Sequence, residues 1–440
     1  MVNLTKKFAE FATNISSSKF NSNVKTYAKI SILDWCSVAY AAKKEPISKI
    51  VTKLALKNKG TKESQLITSS HSVTAESAAL TNGAIGHALD YDDTHFINLG
   101  HPTAVVLPTV LALSEKYNLN IEQSISAYII GVETAIRIGH ILGFSHYNAG
   151  FHQTATSGAF GATAAASRIM KLNLKQTMHA FGLVSTQASG IKSQFGTMGK
   201  PFHAGMAAAN AIQSAKLASL NFISTLDSLQ CEQGFLDTHH WDGTIPKVAI
   251  NGLGKTFLYT TINYKFFACC HGLHATLEAL TEIIKNNIID LKYITKIKIE
   301  TNKSWLKVCN IKKPTTGLEA KFSYSLTSSM ILNGINMSKP ASYSRKICIN
   351  NSINRLRDKV IVEGRNNISK SKAIVTIYQG NKIIKNSFDL SQPIKTNILY
   401  EKILHKSKAL LGKRKLEEIL KIIEKPKIKK TKNLIKILSS

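Results

Sequence analysis

The chain is short of acid. Its 27 Asp and Glu stand against 57 Lys and Arg, a formal net charge of +30. Arginine is scarce within that excess, which is mostly lysine and travels with many Asn and Ile, a pattern that compositional drift produces without a partner. Guanidinium groups make the bidentate contacts to bases and phosphates, and no RRM, helix-turn-helix or zinc-finger signature is present. No nucleic-acid partner is expected. The last forty residues carry thirteen basic and four acidic side chains and read as a solvated helix and tail. The six cysteines include no CxxC pair, so they read as free thiols in a reducing compartment. Adjacent Cys269 and Cys270 suit neither a structural disulfide nor the common iron–sulfur spacings. No apolar run reaches the roughly 18 residues that cross a bilayer. The opening MVNLTKKFAEFATNIS places Glu10 where a signal peptide needs apolar residues. The expectation is a cytoplasmic protein without a membrane partner.

What is present fits two domains in 440 residues. Residues 1–261 read as mostly helical, with apolar residues at three- and four-residue spacing over 24–42, 73–89, 103–117, 122–143, 157–170, 175–188 and 204–220. These helices are rich in Ala, Ser and Gly, as in AAAS at 164–167, so they should approach closely and form a buried multi-helix core. The texture changes near Tyr264. After a helical stretch at 271–286, ITKIKIET alternates as a half-buried strand does, and VIVEG and AIVTIYQGNKIIKNSF follow. Gly380-Asn381 between two apolar runs signals a hairpin. Residues 262–395 therefore read as a smaller α+β domain. Helix returns at 398–424, so 396–440 completes the first domain. The fold class is mainly α with an inserted α+β lid.

Five segments could carry chemistry. The densest, HALDYDDTH at 87–95 with His101-Pro102-Thr103, packs acids and imidazoles that are costly to bury unless paired or used. If the preceding helix runs through Tyr91, His87 and Asp90 share a face, and Asp90 aligns with Thr94 one turn later. A carboxylate, a hydroxyl and a nearby His make a general acid/base set. The same cluster offers Asp90, Asp92, Asp93 and His95 as metal ligands, but no HExxH pair or calcium-loop spacing backs that, and no metal is expected. The second segment, GFHQTATSGAFGATAAAS at 150–167, sets His152 before a helix N-terminus suited to an anion. The third, GTMGKPFHAGMAAANA at 196–211, carries Lys200 and His203; a lysine here can stabilise charge as a carbanion forms. The fourth, YKFFACCHGLHATLEAL at 264–280, puts Lys265, His271 and His274 between the proposed domains. The last, GLEAKFSYSLTSSM at 317–330, includes Tyr324 as a phenol donor.

In this order the five segments resemble the MmgE/PrpD family, which includes 2-methylcitrate dehydratases and cis-aconitate decarboxylases. The likeness runs from about residue 5 to residue 420. It implies a helical domain completed by C-terminal helices, an α+β lid, a homodimer, and a site between the domains that needs no cofactor. It implies catalytic roles for Asp90, Thr94, His101, His152, Lys200 and Lys265. Tyr324, His203, His271 and His274 are expected to contact a small polycarboxylate substrate. Cis-aconitate decarboxylases carry a His five residues beyond the hinge Lys, where this chain has Cys270, so a hydro-lyase is the preferred expectation. A decarboxylase or an epimerase would use the same pocket.

Overall fold

The computed structural model describes residues 3–58, 60–239 and 241–440. Cα packing divides the chain into two compact units, one running to Tyr264 and resuming at Leu410–Ser440, the other Lys265–Ala409. The sequence had suggested changes at 261/262 and 395/396.

The larger unit is built on helices too rich in small residues to have one greasy stripe. They are α1 (Ser22–Ala41), α2 (Ala75–Gly86), α3 (Pro102–Lys116), α4 (Ile121–Asn148), α5 (Gln153–Ile169) and α6 (Gly199–Ser219). In α5 every residue but Arg168 is buried, which is how a helix apolar or small on all sides must sit. Close approach is what such residues permit. Gly205 of α6 lies against α2 so tightly that an added Cβ would stand 2.2 Å from the Leu80 carbonyl oxygen, and Gly83 would meet the Gly205 Cα at 3.0 Å. α4 is long and apolar enough to cross a membrane by composition, yet 94% of its most apolar window is buried as a core helix. Its regular part ends at Gly143 (φ 62°), the residue where the predicted segment 122–143 stops.

Buried polar groups tie the connecting loops to this core. Glu133 and Arg137 of α4 pair at 2.6 Å with no solvent exposure. Arg137 donates to the carbonyls of Val248, Ala249, Asn251 and Thr256, while Glu133 accepts from the amides of Leu258 and Tyr259. The pair thus replaces water for a loop that has little regular structure of its own.

The smaller unit holds α7 (His274–Asn286), β1 (Ile294–Asn302), α8 (Tyr324–Leu332), β2 (Val360–Arg365), β3 (Lys372–Gln379), β4 (Lys382–Asp389) and most of α9 (Thr396–Leu411). The sheet order is β2-β1-β3-β4, with β1 parallel to β2 and the other pairs antiparallel. Ile297, Ile299 and Thr301 of β1 are buried in alternation. Ile294 is out of phase with them, and a register shift between Ile294 and Lys296 returns it to the core face. The expected hairpin is present, with Gln379 opposite Lys382 and Gly380 at φ 55°.

Two expectations near the C-terminus need correction. The single helix expected at 398–424 is broken at Gly412 (φ 79°), which separates α9 from α10 (Lys413–Ile423). The tail is not simply solvated. Helix α11 (Thr431–Ser439) buries Leu434, Ile435 and Leu438, and the Thr431 hydroxyl lies 2.7 Å from that of Ser124.

The glycine contact gives a signed prediction. Alanine is a better helix former than glycine by about 1 kcal/mol, so Gly205→Ala would stabilise an uncrowded helix. Against the Leu80 carbonyl it should instead cost about 1–3 kcal/mol, as overpacking does. Urea unfolding of the variant checks this; an unchanged or raised midpoint would contradict the contact.

Candidate active site

Helix α2 stops at Gly86, with His87 as its C-cap, so the helix expected to run through Tyr91 is shorter than the sequence suggested. The chain turns instead. The Ala88 amide donates to Ile85 O and the Asp90 amide to His87 O, each at 3.1 Å, and Asp90 adopts φ 50°. Asp is one of the few residues that enter this left-handed region readily. The helical alignment of Asp90 with Thr94 is therefore lost. Thr94 is bound to Asn263 through two backbone hydrogen bonds of 2.7 Å, and its buried hydroxyl has no partner among the described residues.

The return of the chain to the core places the next group. An added Cβ at Gly100 would lie 2.8 Å from the Thr154 amide, so this loop rests directly on the start of α5. The His101 amide donates to Thr154 Oγ1 at 3.0 Å, and His101 precedes Pro102 at the first position of α3. His152 stands at the N-cap of α5, makes no side-chain capping bond, and donates its amide to Gly190 O at 2.8 Å.

These turns bring side chains from four segments into one series. His87 Nδ1 lies 3.0 Å from both Asp92 carboxylate oxygens, and His101 Nδ1 lies 3.3 Å from Oδ2. The latter is an ion-pair distance without hydrogen-bond alignment. His101 Nε2 is 3.3 Å from Asp90 Oδ1, which accepts from Lys200 Nζ at 2.8 Å. The His87 ring stacks on His152 with centroids 6.0 Å apart, and His152 Nδ1 lies 3.2 Å from His203 Nδ1. Of the residues chosen from sequence, Asp90, His101, His152, Lys200 and His203 thus meet in the larger unit. The choice missed His87 and Asp92 as members. Their signal was in the same polar run, since a carboxylate buried beside that many imidazoles needs a partner.

Exposure rises from Asp92 through His101 to Asp90. The Asp92 side chain is fully buried, and the Asp90 side chain is 52% exposed. Burial alone would raise the Asp92 carboxyl, but the His87 and His101 rings that face it outweigh burial and hold it well below the usual carboxylate range. Burial depresses His101 to about 4, helped by His87 and Lys200 and opposed by Asp92. Burial and the surrounding cationic groups put His152 well below its ordinary value, and burial with His87 lowers His203. At neutral pH the region therefore offers imidazoles with free electron pairs beside one ammonium group.

Asp93 and His95, considered with this cluster as metal ligands, face elsewhere. Asp93 accepts from Thr103 Oγ1 at 2.5 Å, and burial with nearby Asp92 and Asp34 pushes its carboxyl up. His95 Nε2 lies 2.9 Å from the Thr261 hydroxyl. The donor set the geometry does assemble is His87, Asp90, Asp92 and His101, whose ligand atoms all lie within 4.8 Å of one another. A cation there would compete with Lys200 for Asp90 and with both imidazoles for Asp92.

The remaining candidates lie in the smaller unit. Lys265 is buried, and its charge helps depress His274, whose first cause is burial. The rings of His271 and His274 stack at 5.3 Å, and His274 Nε2 lies 3.3 Å from Cys269 O. Tyr324 donates its phenol to Gly272 O at 2.7 Å, so that hydroxyl is committed to the backbone, and burial raises it.

Comparison with known proteins agrees with this layout. Residues 6–245 match the MmgE/PrpD N-terminal domain and residues 267–415 the MmgE/PrpD C-terminal domain. A cis-aconitate decarboxylase from Aspergillus terreus is 29% identical over 293 residues, 64% of this chain and 60% of that enzyme. A cis-aconitate decarboxylase-like protein, oryM, from Aspergillus oryzae is 26% identical over 299 residues, 64% of this chain and 62% of that protein. The human cis-aconitate decarboxylase is 31% identical over 163 residues, 36% of this chain and 34% of the enzyme. The match thus spans about six tenths of the length of the fungal relatives. The two domain matches follow one another along most of the sequence, the first enclosing the whole histidine–carboxylate series, and the chain belongs to the MmgE/PrpD family.

Proposed function

We propose that the chain is a lyase that moves a proton at the carbon beside a carboxylate of a small, citrate-like polycarboxylate, with loss of water as its reaction. One observation carries the reading: the Asp92–His101–Asp90–Lys200 series runs from a buried carboxylate to a half-exposed one. A substrate arriving from solvent meets Asp90 and Lys200 first. One of its carboxylates takes the place of Asp90 on the ammonium group.

His101 then acts as base. Its ring is neutral, and Asp92 behind it stabilises the imidazolium that forms when it accepts the proton. The electron pair left on carbon delocalises into the adjacent carboxylate, whose growing charge Lys200 offsets, with His152 and His203 alongside. The β-hydroxyl leaves as water, using the proton that His101 has just taken. Thr94 is proposed to bind the substrate through its hydroxyl. Lys265, His271 and His274 are proposed as carboxylate-binding groups of the smaller unit, where the Tyr324 hydroxyl is already given to the Gly272 carbonyl.

A second reading, decarboxylation, is favoured by the resemblance to enzymes named cis-aconitate decarboxylases. It shares the binding groups but breaks a C–C bond and needs a proton donor for the resulting carbanion. Incubation with citrate, 2-methylcitrate and related acids separates the two. Absorbance from a new C=C bond without gas supports dehydration, and carbon dioxide release supports decarboxylation. Inertness towards the whole panel, with no protection by any of these acids, would count against the substrate class.

Lys200→Ala and His101→Ala should each lower kcat/KM by roughly 100-fold or more, the range for acid/base groups, with unchanged circular dichroism. A loss below tenfold in both would remove them from the mechanism. The pH profile supplies a second check. A base works when deprotonated, so lowering its pKa extends activity to lower pH. With His101 depressed to about 4 from 6.5, the acid limb of kcat/KM should fall near pH 4, and a limb centred near 6.5 would contradict His101 as the base.

A further inference from the structure

Outside the histidine–carboxylate series, the smaller unit brings two free cysteine sulfurs together. Cys270 precedes the short turn His271–Leu273, and Cys309 ends the four-residue helix Leu306–Cys309. Their sulfurs are 3.0 Å apart, with the Cys309 thiol donating to Cys270. Neither is in a disulfide; Cys309 is buried and Cys270 partly exposed.

The backbone holds them there. One segment, Lys321–Ser323, grips both strands of chain. Lys321 O accepts from the Cys270 amide at 3.0 Å, Phe322 O accepts from the Ile311 amide at 3.1 Å, and Ser323 forms a bridge with Asn310. Gly272 is packed against Trp305 and Cys309, and its carbonyl accepts from Tyr324. A disulfide needs its sulfurs at about 2.05 Å, so closing this pair takes a movement of only about 1 Å. The neighbouring Cys269 is a poorer partner, since it is buried, its thiol is pushed up to about 12, and its sulfur is engaged by the Tyr343 hydroxyl.

We propose that Cys270 and Cys309 are a dithiol that hydroperoxides oxidise reversibly to a disulfide. The sulfur of the partly exposed Cys270 attacks the peroxide O–O bond, which breaks to leave a sulfenic acid on Cys270 and release an alcohol, or water from hydrogen peroxide. The Cys309 sulfur then attacks the Cys270 sulfur. The S–O bond breaks, and hydroxide leaves as water with the Cys309 proton. Two thiols and one hydroperoxide give one disulfide, one alcohol and one water, and a dithiol reductant returns the two electrons. The inference stands apart from the lyase reading, because its test needs no turnover.

The test treats the full chain with dilute hydrogen peroxide, alkylates it, and reads thiols and cross-linked peptides by mass spectrometry. Wild type and Cys269→Ser should each lose two thiols per chain and gain a Cys270–Cys309 link that dithiothreitol removes. Cys270→Ser and Cys309→Ser should form no such link, and Cys309→Ser should accumulate a dimedone-reactive sulfenic acid on Cys270 several-fold above wild type. The proposal is overturned if oxidised wild type keeps both thiols alkylatable. It is equally overturned if Cys270 passes to sulfinic acid without linking to Cys309.

Discussion

The approach of α2 to α6 at Gly83 and Gly205 is the constraint on which the rest of the larger unit depends. With no side chain on either residue, the two helices meet backbone to backbone. The end of α2 then delivers His87 one turn beyond the contact, the turn that follows delivers Asp90, and the first turn of α6 delivers Lys200 five residues before Gly205. The Lys200–Asp90 pair at 2.8 Å follows from that packing and not from the attraction of the charges. An ion pair with one half-exposed member contributes little to stability on its own. Its position is a consequence of the core.

Burial then sorts the polar groups into two kinds. Glu133 and Arg137 are saturated by each other and by backbone groups, so they serve only to hold the 248–259 loop. The histidine series is different in kind. Asp92 stays ionised because two imidazoles face it, and His101 stays neutral because burial opposes its charging. A neutral base backed by a buried carboxylate and fronted by an ammonium is a state suited to accepting a proton from carbon. The same low-dielectric surroundings that make the arrangement costly make its charges effective.

Much of this was legible in the sequence, for identifiable reasons. Helices and strands announced themselves where periodicity was strong, as in α3 and in the β3–β4 hairpin with its Gly380-Asn381 turn. The polar run at 87–95 marked a candidate site because so many acids and imidazoles beside an apolar helix are costly to bury unless paired or used. What could not be read was direction. Helical spacing placed Asp90 over Thr94, but the left-handed turn at Asp90 ends that geometry and pairs Asp90 with Lys200, 110 positions away. His87 and Asp92 were passed over because their roles arise only once Asp92 lies between two rings. Tyr324 shows the converse limit, since no pattern along the chain discloses that its hydroxyl is spent on the Gly272 carbonyl.

In the proposed reaction a substrate carboxylate takes over Lys200 while His101 faces the carbon beside it. A crystal structure of the protein with an unreactive tricarboxylate bound tests this most directly. The expected complex has a ligand carboxylate within hydrogen-bond reach of Lys200 Nζ, with Asp90 displaced from that ammonium and His101 still against Asp92. A tricarboxylate seated elsewhere, with the Lys200–Asp90 pair intact beneath solvent, would contradict it.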